Sequence, residues 1–160
     1  MLFTSAEFLF AFLPLVIIGS IAIGLLKNEK LSISFLVFCS LFFYGWWNVK
    51  LLPLLLFSVW LNFLVGFYLA KNKSKTLFIS CVFINLSLIA IFKYLDFSIE
   101  TLNSFLATSI QPQNIVLPLA ISFFTFQQIA YLSDVYKGKT SDPSFLKYAL
   151  FVTFFPQLIA

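Results

Sequence analysis

There is no histidine and no arginine among these 160 residues. Without histidine, the chain has no side chain whose ordinary pKa suits acid–base work near neutrality, and it lacks the commonest nitrogen ligand for a metal. Without arginine it has no planar fork for gripping phosphate or carboxylate; all ten basic residues are lysines. Cysteine is scarce as well. Cys39 and Cys81 each lie within an apolar run, with no second cysteine at ligand spacing, so they read as small buried thiols rather than a disulfide or metal site. The five glycines form no phosphate-cradling loop. Charge is thin: 10% of residues are charged against 61% apolar, and mean hydropathy is +1.02. A soluble domain of this size cannot cover its surface with so few charges, so the composition is that of an integral membrane protein. The net charge of +4 is spread over short loops, which argues against a nucleic-acid partner.

What is present is a series of uncharged runs: 8–26, 31–49, 51–70, 76–92 and 115–133. Lysine clusters or single charges close them: Lys27 to Lys30, Lys50, Lys71 to Lys75, Lys93 and Asp134. Runs of this length rise about 25–30 Å as helices at about 1.5 Å per residue, enough to cross a bilayer. The first run exceeds the apolar core of a signal peptide and has no preceding lysine, so it reads as a retained span. If all five cross, Lys27, Lys30, Lys71, Lys73, Lys75, Lys137, Lys139 and Lys147 share one side, with Lys50 and Lys93 on the other. The positive-inside rule then places the N-terminus outside the cytoplasm.

Residues 95–110 differ from these runs. Leu95, Ile99, Leu102, Leu106 and Ile110 fall on one narrow helical face, flanked by Asp96, Glu100 and Asn103. The pattern predicts a helix lying flat at the outer interface and ending at Gln111-Pro112. The aromatic cluster Phe42 to Trp47 lies near the same surface and suits interfacial anchoring. From Phe145 the chain turns apolar again, too briefly for a comfortable span. The expected fold is all-α: one polytopic membrane domain over 1–160, with about five transmembrane helices, one interfacial amphipathic helix and a truncated sixth segment.

The fifth run is the most informative. It carries Ser122, Thr125, Gln127, Gln128 and Ser133 and then meets Asp134 and Tyr136. About ten apolar residues at roughly −0.3 to −0.6 kcal/mol each only just offset these polar groups, so the segment depends on its bundle. A wheel places Pro118, Ser122, Thr125 and Ser133 on one face with Gln128 at its edge, while Gln127 projects elsewhere. Ser122, Thr125, Gln127, Gln128, Asp134, Tyr136 and the later Gln157 are therefore candidates for lining or supporting a polar path. Ser58, Asn62 and Gly66, at four-residue spacing, form a close-packing stripe, and Asn85 is a partner for Asn62 or a glutamine. No catalytic residue and no metal site are assigned.

Several of these stretches match a known pattern. Leu2-Phe3-Thr4-Ser5, Phe43 to Asn48, Lys93-Tyr94, Leu117 to Gln127, Asp134-Val135-Tyr136-Lys137-Gly138 and Phe154 to Ala160 occur in order along the chain. Together they resemble the membrane-bound O-acyltransferase family, in its bacterial alginate O-acetylation and teichoic-acid D-alanylation branch. Ala120, Phe124 and Lys137 stand where the pattern usually has glycine, tyrosine and arginine. The resemblance implies the N-terminal part of a longer ring of helices around a tunnel, in a bacterial cytoplasmic membrane. It further implies acyl transfer, of an acetyl group, from acetyl-coenzyme A or an acylated carrier protein to a hydroxyl of an extracytoplasmic polysaccharide. The catalytic histidine would lie in a later segment, leaving this stretch inactive alone, and partner proteins would complete acetylation outside. The alternative is a small helical membrane protein serving assembly or transport.

Overall fold

The structure, a computed structural model, describes residues 5–106, 111, 113, 116–139 and 144–158, and every regular element among them is helical. A π turn, Phe8–Phe12, leads into α1 (Leu13–Gly24); α2 covers Glu29–Asn48 and, after a 3₁₀ turn at Val49–Leu51, α3 covers Leu52–Lys71. Then come α4 (Lys75–Ile89), a second π turn (Ala90–Tyr94), α5 (Leu95–Leu106), α6 (Ile121–Tyr136) and α7 (Phe145–Thr153). Two helical stretches, Glu29–Lys71 and Lys75–Phe105, are long and apolar enough to cross a membrane; Phe8–Gly24 is a shorter apolar helix.

Polar residues at the edges of the apolar runs set the breaks. The Asn28 and Ser74 side chains cap α2 and α4, accepting from the Leu31 and Leu77 backbone N–H groups at 3.2 and 3.3 Å. Asn48 takes an extended backbone (φ −157°, ψ 101°) and accepts from the Lys50 N–H, separating α2 from α3 within the longer stretch. Pro53 sits in the first turn of α3, just after that break, where a missing N–H costs little, while Pro14 follows directly on the π turn inside the longer helical stretch Phe8–Gly24.

Cross-contacts fix the helix directions. Gln128 and Tyr131 of α6 meet Ser58 and Gly66 of α3 in the same order, so these two run parallel. Asn62 and Asn85 pair across α3 and α4, which run antiparallel about the turn at Asn72–Ser74. Glu29 meets Lys147 and Ser40 meets Phe155, so α7 follows α2. One end of the bundle therefore gathers Glu29, Lys147, Lys73 and Gly138; Lys93 and Pro118 share the other.

Two cores hold the helices. The larger joins α3, α4, α6 and α7 through Leu55, Val59, Leu69, Cys81, Phe124, Leu132 and Val152. The smaller is aromatic: Phe8, Phe12, Phe43 and Phe155 pack with Phe12 edge-on to Phe155 at 5.3 Å. Large apolar side chains also cover the outside, among them Phe10, Phe38, Phe83 and Phe126. Facing water, such a surface would aggregate; facing lipid or further helices it is stable.

Three sequence expectations change here. The fifth run does not start as helix at 115, since residues 116–120 are non-helical and α6 opens at Ile121 after a left-handed Ala120 (φ 54°). Pro118 therefore leaves the helical face on which the wheel had put it. The amphipathic segment is no separate helix, because the π turn carries α4 on into α5 without a break. Its predicted end, with Ile110 and Pro112, lies outside the described residues. The aromatic cluster is split: Phe43 and Tyr44 are fully buried, and only Phe42 and Trp46 face outward.

Candidate functional site

The polar side chains of the bundle converge where α3, α4 and α6 meet. The Gln128 Oε1 accepts from the Ser58 hydroxyl at 2.8 Å and from the Asn62 amide at 2.9 Å. Asn62 and Asn85 exchange amide hydrogen bonds: the Asn85 Nδ2 donates to the Asn62 Oδ1 at 2.7 Å, with a longer return bond at 3.2 Å. The Cys81 thiol donates to the same Asn62 oxygen at 3.5 Å. Asn62 and Asn85 also tie back to the carbonyls of Ser58 and Cys81, one turn earlier on their own helices. All five side chains are buried, which in a low-dielectric interior makes each pairing consequential.

This seam follows from sequence spacing. Ser58, Asn62 and Gly66 recur every four residues and so share one face of α3. Gly66 lets α6 approach closely: a Cβ there would stand 2.5 Å from the Tyr131 ring. Tyr131 packs in turn against Tyr148 of α7, the rings tilted by 39° with centroids 4.2 Å apart.

The two glutamines face different neighbours, as the wheel indicated. Gln127 points to the α7 end, where its Nε2 donates to the Gln157 Oε1 at 3.0 Å. Several buried atoms near these residues have no hydrogen-bond partner among the described residues: the Gln128 Nε2, the Gln127 Oε1, and the hydroxyls of Thr125, Tyr44, Tyr131 and Tyr148. Protein interiors leave few such groups without a partner, water or ligand.

The other candidates lie apart from the seam. Ser122 is half-buried and lines a cleft at the Lys93 end. Asp134 makes an exposed ion pair with Lys139 at 3.7 Å, at the lysine-rich end. Tyr136 stacks face to face on Phe78 at 4.9 Å, which ties α6 to α4. Sequence reasoning left out Cys81, Tyr131 and Tyr148. Cys81 lies four residues before Asn85 on one helical face, and that spacing was the available signal.

Comparison with known proteins adds a whole-chain match. The sequence is 40% identical to the peptidoglycan O-acetyltransferase of Helicobacter pylori, covering 100% of this chain and 36% of that protein. It is 34% and 33% identical to the probable alginate O-acetylases AlgI of Pseudomonas aeruginosa and Pseudomonas putida, again over the whole chain. The chain belongs to the membrane-bound O-acyltransferase family. It spans about a third of the length of these O-acyltransferase relatives, 36% and 32% for the first two. No family model and no solved structure matches it. As a stretch of a membrane-bound O-acyltransferase, the helical bundle has a ready account of its apolar exterior.

Proposed function

We propose that these residues form the N-terminal part of an enzyme that moves an acetyl group to a hydroxyl of an extracytoplasmic polysaccharide. The observation that carries this reading is the match of the whole chain to O-acetyltransferases of peptidoglycan and alginate. The donor is a cytoplasmic thioester, acetyl-coenzyme A or an acylated carrier protein. In the reaction the thioester C–S bond breaks, the acceptor oxygen bonds the acyl carbon, and the hydroxyl proton leaves with the thiol. A general base is needed, and this histidine-free stretch leaves it to the rest of the enzyme.

The helices cross the membrane five times, with the N-terminus outside. The alternating directions of α2, α3, α4 and α6 support this, as does the gathering of Lys73, Lys147 and Gly138 at one end. The bundle's part in the reaction is to line and brace a polar path. Support comes from the partnerless Gln127 Oε1, Gln128 Nε2 and Thr125 hydroxyl, which water, substrate or further helices would satisfy. Partner proteins outside the membrane complete delivery to the polysaccharide. A non-enzymatic assembly or transport subunit draws no support from these relatives.

The test is reconstitution of the full-length protein in vesicles, together with its extracytoplasmic partner proteins, with a labelled acetyl thioester inside and a glycan outside. Label should appear as glycan ester; donor consumption with no esterified glycan would sink the reading.

A further inference from the structure

Two cavities meet between α2 and α7 at the lysine-rich end of the bundle. One, of about 320 Å³, is polar: Glu29, Lys30, Ser144 and Lys147 line it, with Ile33 and Leu146 beside them. The other, of about 310 Å³, is apolar, walled by Leu36, Leu150, Phe151 and Phe154. Ile33 and Lys147 belong to both, so the two are continuous. From Lys147 to Phe154 the groove extends about 10 Å along α7, at about 1.5 Å per residue. Gln157 closes its inner end, with its Oε1 already taken by the Gln127 amide.

Charge and polarity are graded along this path. Lys147 meets Glu29 at 2.7 Å, and an ammonium has three N–H groups to place. Lys30 has no carboxylate in ion-pair range among the described residues, so the polar cavity carries one net positive charge. Ser144 stands at the N-cap of α7 without using its hydroxyl as a cap, which leaves an O–H donor beside the lysines. Deeper in, the walls are aliphatic and aromatic. A neighbouring helix would fill the apolar part but bring no obligatory anion to the polar one. A soluble phosphate would suit the polar part and leave the apolar one open. A phospholipid matches both, and basic pockets between helices on the cytoplasmic side take anionic headgroups.

We propose that the groove between α2 and α7 binds an anionic phospholipid. Lys30, Lys147 and Ser144 hold its phosphate, and an acyl chain lies along Leu36, Leu150, Phe151 and Phe154. The lipid thereby braces two helices that are distant in sequence. The site rests on the chain's lying in a membrane; the reading that the lysine-rich end faces the cytoplasm makes the inner leaflet its source.

The test uses the full-length protein in phosphatidylcholine vesicles with phosphatidylglycerol as the minor lipid. Native mass spectrometry after extraction identifies the lipid retained. Wild type should keep phosphatidylglycerol in preference to phosphatidylcholine. Lys30→Gln and Lys147→Gln should each weaken that retention about fivefold, the weight of one lysine at an anionic membrane surface. Lys75→Gln, at the same end but outside the groove, should change nothing. Lys30 is exposed and in no ion pair among the described residues, so its variant reads the site even where Lys147→Gln loosens α7. An equal loss in Lys75→Gln would overturn the groove in favour of a diffuse basic face. Retention indifferent to Lys30 and Lys147 would overturn it too, leaving the groove to a further helix of the enzyme. So would displacement of the lipid by excess coenzyme A, since the lysines would then serve the donor's phosphates. Lysine-dependent retention without acetyl transfer would keep the site and overturn the enzymatic reading. The same retention in a protein whose lysine-rich end labels from outside would keep the site and overturn the topology.

Discussion

Asn62 and Asn85 grip each other across α3 and α4 through reciprocal amide bonds of 2.7 and 3.2 Å. Removing one partner strands the other in a buried site that also serves Gln128 and Cys81. Asn62→Leu should cost about 1–3 kcal/mol, the penalty of leaving buried polar groups unmade. Asn62→Leu with Asn85→Leu should cost less than the sum of the single changes. Reversible unfolding in mixed micelles measures both; strict additivity would contradict the coupling.

Gly66 and Tyr131 set how closely α3 and α6 approach. Gly66→Ala should destabilise by about 1–3 kcal/mol, because the Tyr131 ring is braced by Tyr148 and has little room to move. Adding Tyr131→Leu should recover part of that loss in the same assay.

The two glutamines should separate stability from activity. Gln128→Leu leaves Ser58 and Asn62 without their shared acceptor, so both melting temperature and acylation by the full-length protein should fall. Gln127→Leu loses one bond to Gln157 near the surface, so acylation should fall while melting stays within about 0.6 kcal/mol of wild type, a typical interhelical bond in a membrane. Unchanged activity in both variants would remove the glutamines from the polar path.

Topology is open to direct labelling. Single cysteines at Lys73 and Lys139 should react with an impermeant maleimide only from the cytoplasmic side, and those at Asn48 and Leu117 only from outside. Cys39 and Cys81 are buried and should give little background. Labelling of Lys73 and Lys139 from opposite sides would rule out the five-span arrangement.

The Glu29–Lys147 pair joins α2 to α7 at 2.7 Å, and the hydrogen bond and charge of Lys147 hold the Glu29 carboxyl below its ordinary value. A lowered carboxyl pKa contributes stability above the unfolded value and loses it as pH falls through the folded one. Any benefit is therefore present at neutral pH and disappears in acid. Both side chains are largely exposed, so Glu29→Gln should flatten a slight pH dependence in a low-salt melt and change little else.

Much of the frame was legible because charges punctuate the apolar runs. The edges of α2 and α3 fall within two residues of those read from Lys30, Lys50 and Lys71. The stripe of Ser58, Asn62 and Gly66 and its partner Asn85 were legible because four-residue spacing fixes a helical face. What stayed hidden was set by backbone and neighbours. Nothing in composition says that Ala120 turns left-handed, which delays α6 to Ile121. Periodicity reads α4 and α5 apart because their patterns differ, while a π turn joins both in one unbroken helical stretch. Phe43 and Tyr44 look like interface residues in the sequence, and only the docking of Phe8, Phe12 and Phe155 buries the first of them.

The acceptor oxygen shared by Ser58 and Asn62 also implies an order of assembly. Asn62 and Asn85 are 23 residues apart and their helices adjoin in sequence, so this hairpin can close soon after both enter the membrane. Gln128 lies 66 residues beyond Asn62 and arrives later. Because it meets a pair already locked, the hairpin is a template, and the register of the incoming helix is chosen by the donors left unused on α3.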